Sequence, residues 1–155
     1  MPGTQQPFKI VQSGKDISRS LKLVATRDFK KGDAISPLEG KPISGIFYHT
    51  VQVGQDQHIE LTNDLVYCNH SCDPSLIFDT TRMLTIALRD LKEGDELTFF
   101  YPSSEWNMAE PFSCVCNSSQ CIGEIKGAKY LTKETLSRYF INEHIQQQHE
   151  QTKTI

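Results

Sequence analysis

Three cysteines stand close together in "CVCNSSQC", Cys114, Cys116 and Cys121, with the spacing C-x-C-x4-C. Thiolates on so short a loop can converge on one ion, and soft sulfur donors favour zinc in a tetrahedral arrangement. A structural zinc site is closed, so a fourth ligand must come from elsewhere. The other two cysteines, Cys68 and Cys72, both lie in "YCNHSCDPSLIF" (residues 67–78), and His49, His58, His70, His144 and His149 are further candidates. Cys68 ends the apolar approach "LVYC", whereas Cys72 lies beyond it at the turn opened by "CDP". This favours Cys72 as the ligand and Cys68 as a small buried residue. Five cysteines, three of them clustered, point to metal in a reducing compartment rather than to disulfides.

The elements that must position these residues read mostly as short strands. "SLKLVATRDF" (residues 20–29) alternates, with Leu21, Leu23 and Ala25 on one side, and "KKGD" turns it into "AISPLEG". The same grammar returns in "LTIALRDLKEGDELTFFY", with Leu84, Ile86 and Leu88 in phase, the turn "KEGD", then Leu97 and Phe99. Prolines 37, 42, 74, 102 and 111 exclude long helices from most of the chain. The tail is the exception: Leu136, Tyr139, Phe140, His144 and Ile145 fall at helical spacing behind a Thr132 cap, which predicts one packing helix from about 133 to 147. The Gln-rich end "IQQQHEQTKTI" is expected to fray.

The 155 residues suit one domain with a respectable core. Sixteen Lys and Arg against nineteen Asp and Glu leave a net charge of −3 and no basic stripe, which argues against tight nucleic-acid binding. No apolar run approaches the roughly 20 residues of a membrane span and no signal pattern opens the chain, so an intracellular protein, cytoplasmic or nuclear, is expected.

In order along the chain, "NHSCDP" (residues 69–74), "GDELTFFY" (94–101) and "FSCVCNSSQCIGEI" (112–125) resemble the motifs of the SET-domain family of S-adenosylmethionine-dependent methyltransferases: N-H-x-C-x-P-N, G-E-E-L-T-x-D-Y and a post-SET C-x-C-x4-C. "LKLVATRDFKKGD" looks like the family's N-terminal segment, G-x-G-x-F-A-x-x-x-I-x-x-G-E. The resemblance implies a mostly β fold of short curved sheets with a pseudoknot at the Asn-His segment, a zinc-binding post-SET segment and a C-terminal helix. It divides the chain into a SET domain (1–109), a post-SET zinc segment (110–127) and a C-terminal helix and tail (128–155).

What the resemblance implies for function is methyl transfer from S-adenosylmethionine, most simply to a protein lysine amine. A narrow channel brings the amine in line with the sulfonium methyl group, and the amine must arrive neutral. With a reference pKa of about 10.4, roughly one lysine in two to three thousand is neutral at pH 7, and a dry channel beside a cation favours that form. Tyr101 matches the family's catalytic tyrosine; Asn69 and His70 match the cofactor-holding pair. Ser20 and Tyr67 fall where further cofactor contacts are expected, and Phe99, Tyr101 and Tyr48 where the substrate channel is. Phe at position 99 leaves out a hydroxyl and so leaves room for more than one methyl group. Tyr67, Tyr48 and Trp106 have packing as their ordinary alternative. The zinc set implied is Cys72, Cys114, Cys116 and Cys121.

The chain also departs from the pattern. "SRS" (residues 18–20) stands where G-x-G would lie, Phe100 replaces an Asp, Ser75 replaces an Asn, and the apolar "LVY" replaces a basic residue. Side chains in place of those glycines would crowd the cofactor. Two alternatives therefore stand beside lysine methylation: transfer to a small molecule or unusual acceptor, and a catalytically inactive SET-fold binding module.

Overall fold

A computed structural model describes residues 6–12, 21–47 and 50–152. Among them, short runs, most of them containing Val, Ile, Leu or Thr, form β1 (Phe8–Gln12), β2 (Leu21–Ala25), β3 (Ala34–Pro37), β4 (Gly40–Ile43), β5 (Thr50–Gly54), β6 (Gln57–Leu61), β7 (Asn69–His70), β8 (Leu76–Asp79), β9 (Leu84–Ala87), β10 (Glu96–Phe99), β11 (Phe112–Ser113) and β12 (Glu124–Ile125). Their sheets run β1-β2-β10-β7, β3-β9-β8, β4-β6-β5 and β11-β12. The mostly β architecture is as the sequence predicts. No helix among the described residues is long and apolar enough to cross a membrane.

The two strand-turn-strand segments are not independent hairpins; they zip against each other. Phe29 and Leu91 exchange both backbone hydrogen bonds, at 2.9 and 2.8 Å. Ala25 N donates to Asp95 O and, in mirror position, Ala87 N donates to Asp33 O, each at 2.9 Å. Side chains repeat the relation: Asp90 accepts from Lys31 N and Asp28 from Glu93 N, both at 2.9 Å. Each turn closes through a glycine in the left-handed region, Gly32 at φ 92° and Gly94 at φ 91°, where a side chain would be strained. This local two-fold sets β2 against β10 and β3 against β9, which aims the end of β10 at the site.

The alternation predicted for β9 fails in detail. Leu84 and Leu88 are half-buried while Thr85 is wholly buried. β9 is the central strand of its sheet, covered on both faces, so a polar residue is tolerated there when satisfied. Thr85 donates to Ser36 O at 3.1 Å and lies 3.0 Å from Ser36 Oγ. Likewise Leu21, expected on the core face of β2, is exposed, whereas Val24 is buried.

The single C-terminal helix is corrected to two, α1 (Lys133–Leu136) and α2 (Glu143–Gln151). Thr132 caps α1 as expected, accepting from Thr135 N. Asn142 makes the break: its amide donates to Phe78 O at 2.7 Å and Ser103 O at 3.0 Å, and its carbonyl oxygen accepts from Thr80 N at 3.0 Å. Those bonds hold Asn142 extended (φ −66°, ψ 154°), which no helix can pass through. Phe140, predicted for the packing face, is exposed in the break. The Gln-rich end does not fray as far as Gln151: Gln148 and Gln147 accept hydrogen bonds from Gln52 and Gln55, and His149 lies 3.2 Å from Leu131 O. The last three residues of the chain lie outside the described residues.

The main core runs from Phe8 to Phe99 and includes the stacked rings of Phe78 and Phe99, 3.7 Å apart. A second cluster of Phe100, Ala128, Leu136, Ile141 and Ile145 fixes the C-terminal part. Replacing Asn142 by Ala removes the side-chain partner of Phe78 O and Thr80 N, while Ser103 O keeps the backbone N–H of residue 142, and is expected to lower stability by about 2 kcal/mol. Urea unfolding of both proteins measures it; a loss under about 0.5 kcal/mol would mean that the break is set by other contacts.

Candidate active site

The site is built where β7 meets β10. The two pair in parallel, Asn69 opposite Thr98 and His70 opposite Phe99. Beyond β10 the chain turns at Phe100 into a short 3-10 turn, Tyr101–Ser103, fixed by Pro102. The Tyr101 hydroxyl donates to Cys68 O at 3.1 Å, and the Tyr101 backbone N–H donates to His70 Nδ1 at 3.1 Å. With Nδ1 accepting, the His70 proton sits on Nε2, which lies 3.4 Å from Cys72 Sγ. Burial brings the imidazole pKa down to about 4, so the ring is neutral. Burial first, then electrostatic interaction with Cys68 and Glu105, pushes the Tyr101 phenol well above its ordinary value, so it stays protonated.

Beside this crossing opens a cleft of about 830 Å³, with Asn69, His70, Phe99 and Tyr101 in its wall. Asn69 reaches back to donate to Leu21 O at 3.0 Å. Of the other residues singled out from sequence, Tyr67 is 37% exposed and is not among those lining the cleft. Trp106 packs edge-on against His149. Ser20 and Tyr48, with Ser18, lie outside the described residues.

The departures from the family pattern have structural uses. Ser75 is fully buried; its hydroxyl donates to Glu96 O at 3.0 Å and accepts from Thr98 N at 2.9 Å, sewing the turn after Cys72 to β10. Phe100 stacks on Tyr139 at 3.7 Å and so anchors the second cluster.

The sulfur atoms of Cys72, Cys114, Cys116 and Cys121 lie within 4.8 Å of one another, and Cys72 Sγ is 3.9 Å from Cys114 Sγ. A tetrahedron of sulfurs around zinc at about 2.3 Å has edges of about 3.8 Å, so the donor set fits that ion. Cys72 Sγ also accepts from Ile122 N at 3.4 Å. Burial pushes the Cys72 thiol up; it also raises Cys116, but hydrogen bonds from the backbone at Ser118 and from neighbouring groups outweigh it and bring Cys116 to about 6. Cys68 stands apart from the cluster, buried, with its thiol 3.5 Å from Leu97 O.

Sequence reasoning missed Glu105. Charged residues in a loop read as solvated, but Glu105 is only 9% exposed and lines the cleft. Its Oε2 accepts from Gln52 N at 2.9 Å and Ser104 Oγ at 3.0 Å. The available signal was its place four residues after Tyr101, where its N–H bonds to Tyr101 O at 3.0 Å.

The fold and this crossing define a class, and comparison with known proteins agrees with it. Residues 48–102, about a third of the chain, match the family model described as "SET domain". A methyltransferase of Aspergillus flavus is 52% identical over 100 residues, covering 63% of this chain and 56% of that one. The histone-lysine N-methyltransferase ash1 of Drosophila melanogaster is 36% identical over 77 residues, 46% of this chain and 4% of that one. A crystal structure of a Plasmodium falciparum protein described as a histone methyltransferase superposes with a TM-score of 0.51 at 18% identity, over 63% of this chain and 95% of the other, which shows the shared fold. The matched part thus spans just over half of one relative and a small fraction of the other.

Glu105 also makes stability pH-dependent. Burial raises its carboxyl pKa from 4.5 to about 7, against the Gln52 and Ser104 hydrogen bonds that lower it. Because the folded pKa lies above the unfolded one, the stabilisation is complete below about pH 4.5 and is lost as pH rises through 7. Glu105→Gln removes that loss, so its stability relative to wild type should rise by up to about 3 kcal/mol between pH 5 and pH 8. Thermal unfolding of the pair at both pH values reads the difference; a constant offset would show that Glu105 does not titrate this way.

Proposed function

We propose that the protein is an S-adenosylmethionine-dependent methyltransferase whose acceptor is an amine, foremost that of a protein lysine. The observation that supports this best is the placement of Tyr101, its hydroxyl tied to Cys68 O and its backbone tied to His70, in the same cleft as Asn69 within a SET domain. When bound, S-adenosylmethionine supplies an electrophilic sulfonium methyl group. Asn69 and His70 would hold it, their main chain being fixed by β10. Tyr101 would orient the acceptor nitrogen for in-line attack, and alignment alone can be worth several kcal/mol. Phe99, pressed against Phe78, would shape the amine pocket without a hydroxyl. Cys72, Cys114, Cys116 and Cys121 would hold one structural zinc that staples residues 110–127 to the crossing.

A second reading, transfer to a small molecule or unusual acceptor, stays beside the first, because the name of the Aspergillus flavus relative, a methyltransferase at 52% identity, specifies no acceptor. The inactive binding module has no comparable support.

Calorimetry should show saturable binding of S-adenosylmethionine and of its demethylated product. Tyr101→Phe should keep that affinity while methyl transfer falls about a hundredfold. No binding by the zinc-loaded protein would end both enzymatic readings and leave the module. Labelling of a small amine but no peptide would select the second reading. Native mass spectrometry should find one zinc per chain, lost in Cys121→Ser together with amide protection over residues 110–127, since metal binding at such sites is also folding energy.

A further inference from the structure

The cleft has an uneven charge. Its lining among the described residues contains Glu96, Glu105 and Glu110 and no lysine or arginine. Glu96 and Glu110 are exposed, whereas Glu105 is nine-tenths buried. Both hydrogen bonds that Glu105 accepts fall on one oxygen, Oε2. Oε1 accepts from no donor among the described residues, and Glu105 is part of the cleft lining. A buried carboxylate with a free oxygen is costly unless a cation or a proton meets it. No side chain of the cleft does so.

We propose that Glu105 recognises the methyl acceptor as a cationic amine and takes the proton that the amine must lose. This rests on the methyltransferase reading above. The ammonium group donates to Oε1 on entry; its proton passes to the carboxylate, giving a neutral amine and a carboxylic acid. The nitrogen lone pair then attacks the methyl carbon, the N–C bond forming as the S–C bond breaks, and the acid returns its proton to solvent. Other groups in the wall are unsuited to the proton. Tyr101 stays protonated, and His70 Nδ1 is already occupied by the Tyr101 N–H. The titratable groups around Glu105 are Tyr101, His144 behind Ser104 (2.8 Å from Ser104 O), His58 opposite Gln52 on β6, and the two exposed carboxylates. Glu105 is poised between its two states near neutrality, as proton transfer at physiological pH requires.

The test compares wild type with Glu105→Gln, whose amide oxygen can still accept from Gln52 N and Ser104. Donor affinity is read by calorimetry, and transfer by labelled S-adenosylmethionine offered to a lysine-peptide library and to a panel of small primary and secondary amines. The expected result is unchanged donor affinity with kcat/KM for the amine reduced a hundredfold or more, and loss of a limb that rises through about pH 7 in wild type. Independently of turnover, the Glu105 carboxyl carbon in 13C-labelled wild type should titrate near pH 7. Which acceptor set is labelled tells peptide from free amine. A variant that keeps kcat/KM within twofold, donor affinity that falls instead, a label found only on oxygen or carbon acceptors, or a carboxyl that titrates near pH 4 would each overturn the proposal. Should the variant not fold, the wild-type profile and carboxyl titration decide. Failure of wild type to bind the donor would instead remove the methyltransferase reading, and the proposal with it.

Discussion

Everything at the site hangs on a parallel pairing only two residues long, Asn69–His70 of β7 against Thr98 and Phe99 of β10. So short a strand supplies little cohesion of its own, and parallel pairing is the weaker kind per residue. It is held from outside. Ser71 N donates to Phe99 O at 3.1 Å and Ser75 N to Thr98 O at 3.1 Å, while the Ser75 hydroxyl doubles the link. On the far side Tyr139 Oη and Gln120 Nε2 donate to Cys72 O at 2.8 and 3.1 Å. The crossing is thus clamped between the core and the C-terminal part, and the cysteine cluster completes the clamp.

Clamping from the C-terminal side explains why the tail is folded as it is. A continuous helix from 133 would carry its partners away from the body. Breaking it at Asn142 lets one residue satisfy Phe78, Thr80 and Ser103 together, and Ser103 belongs to the turn that carries Tyr101. α2 can then lie along β5 with Gln148 on Gln52, the residue whose backbone holds Glu105. Gly127 makes the approach possible: at φ 120°, a Cβ there would run into the Trp106 carbonyl. Tail, turn and cleft wall are therefore one mechanical unit.

What could be read from sequence follows from how local each signal is. The gathering of Cys72, Cys114, Cys116 and Cys121 within 4.8 Å was legible because a metal site, where one is built, restricts residue type and spacing at once. Tyr101, Asn69 and His70 were legible through ordered motifs, and the structure gathers them in one cleft wall. The glycine turns were visible as turns, but not as partners in a mutual zip, because backbone bonds between residues 62 apart leave no mark on composition. Asn142 and Glu105 were unreadable for the same reason. A polar residue in a helical pattern or loop looks solvated until long-range partners bury it. Ser75 and Phe100 looked like losses against the family pattern; their contacts show substitutions that serve packing.

The cleft's electrostatics bring fold and chemistry together. A buried carboxylate opposes stability above neutral pH, so a sequence selected for stability alone would carry Gln at position 105, which could make the same hydrogen bonds to Gln52 and Ser104. Keeping Glu there is consistent with a need for the charge itself. The mouth of the same cleft carries exposed Ile46, Phe112 and Val115. An acceptor suited to both surfaces has a cationic nitrogen on an apolar stem. A lysine side chain meets that description and so does a small aliphatic amine, so the charge recognition proposed for Glu105 would not by itself tell peptide from small molecule.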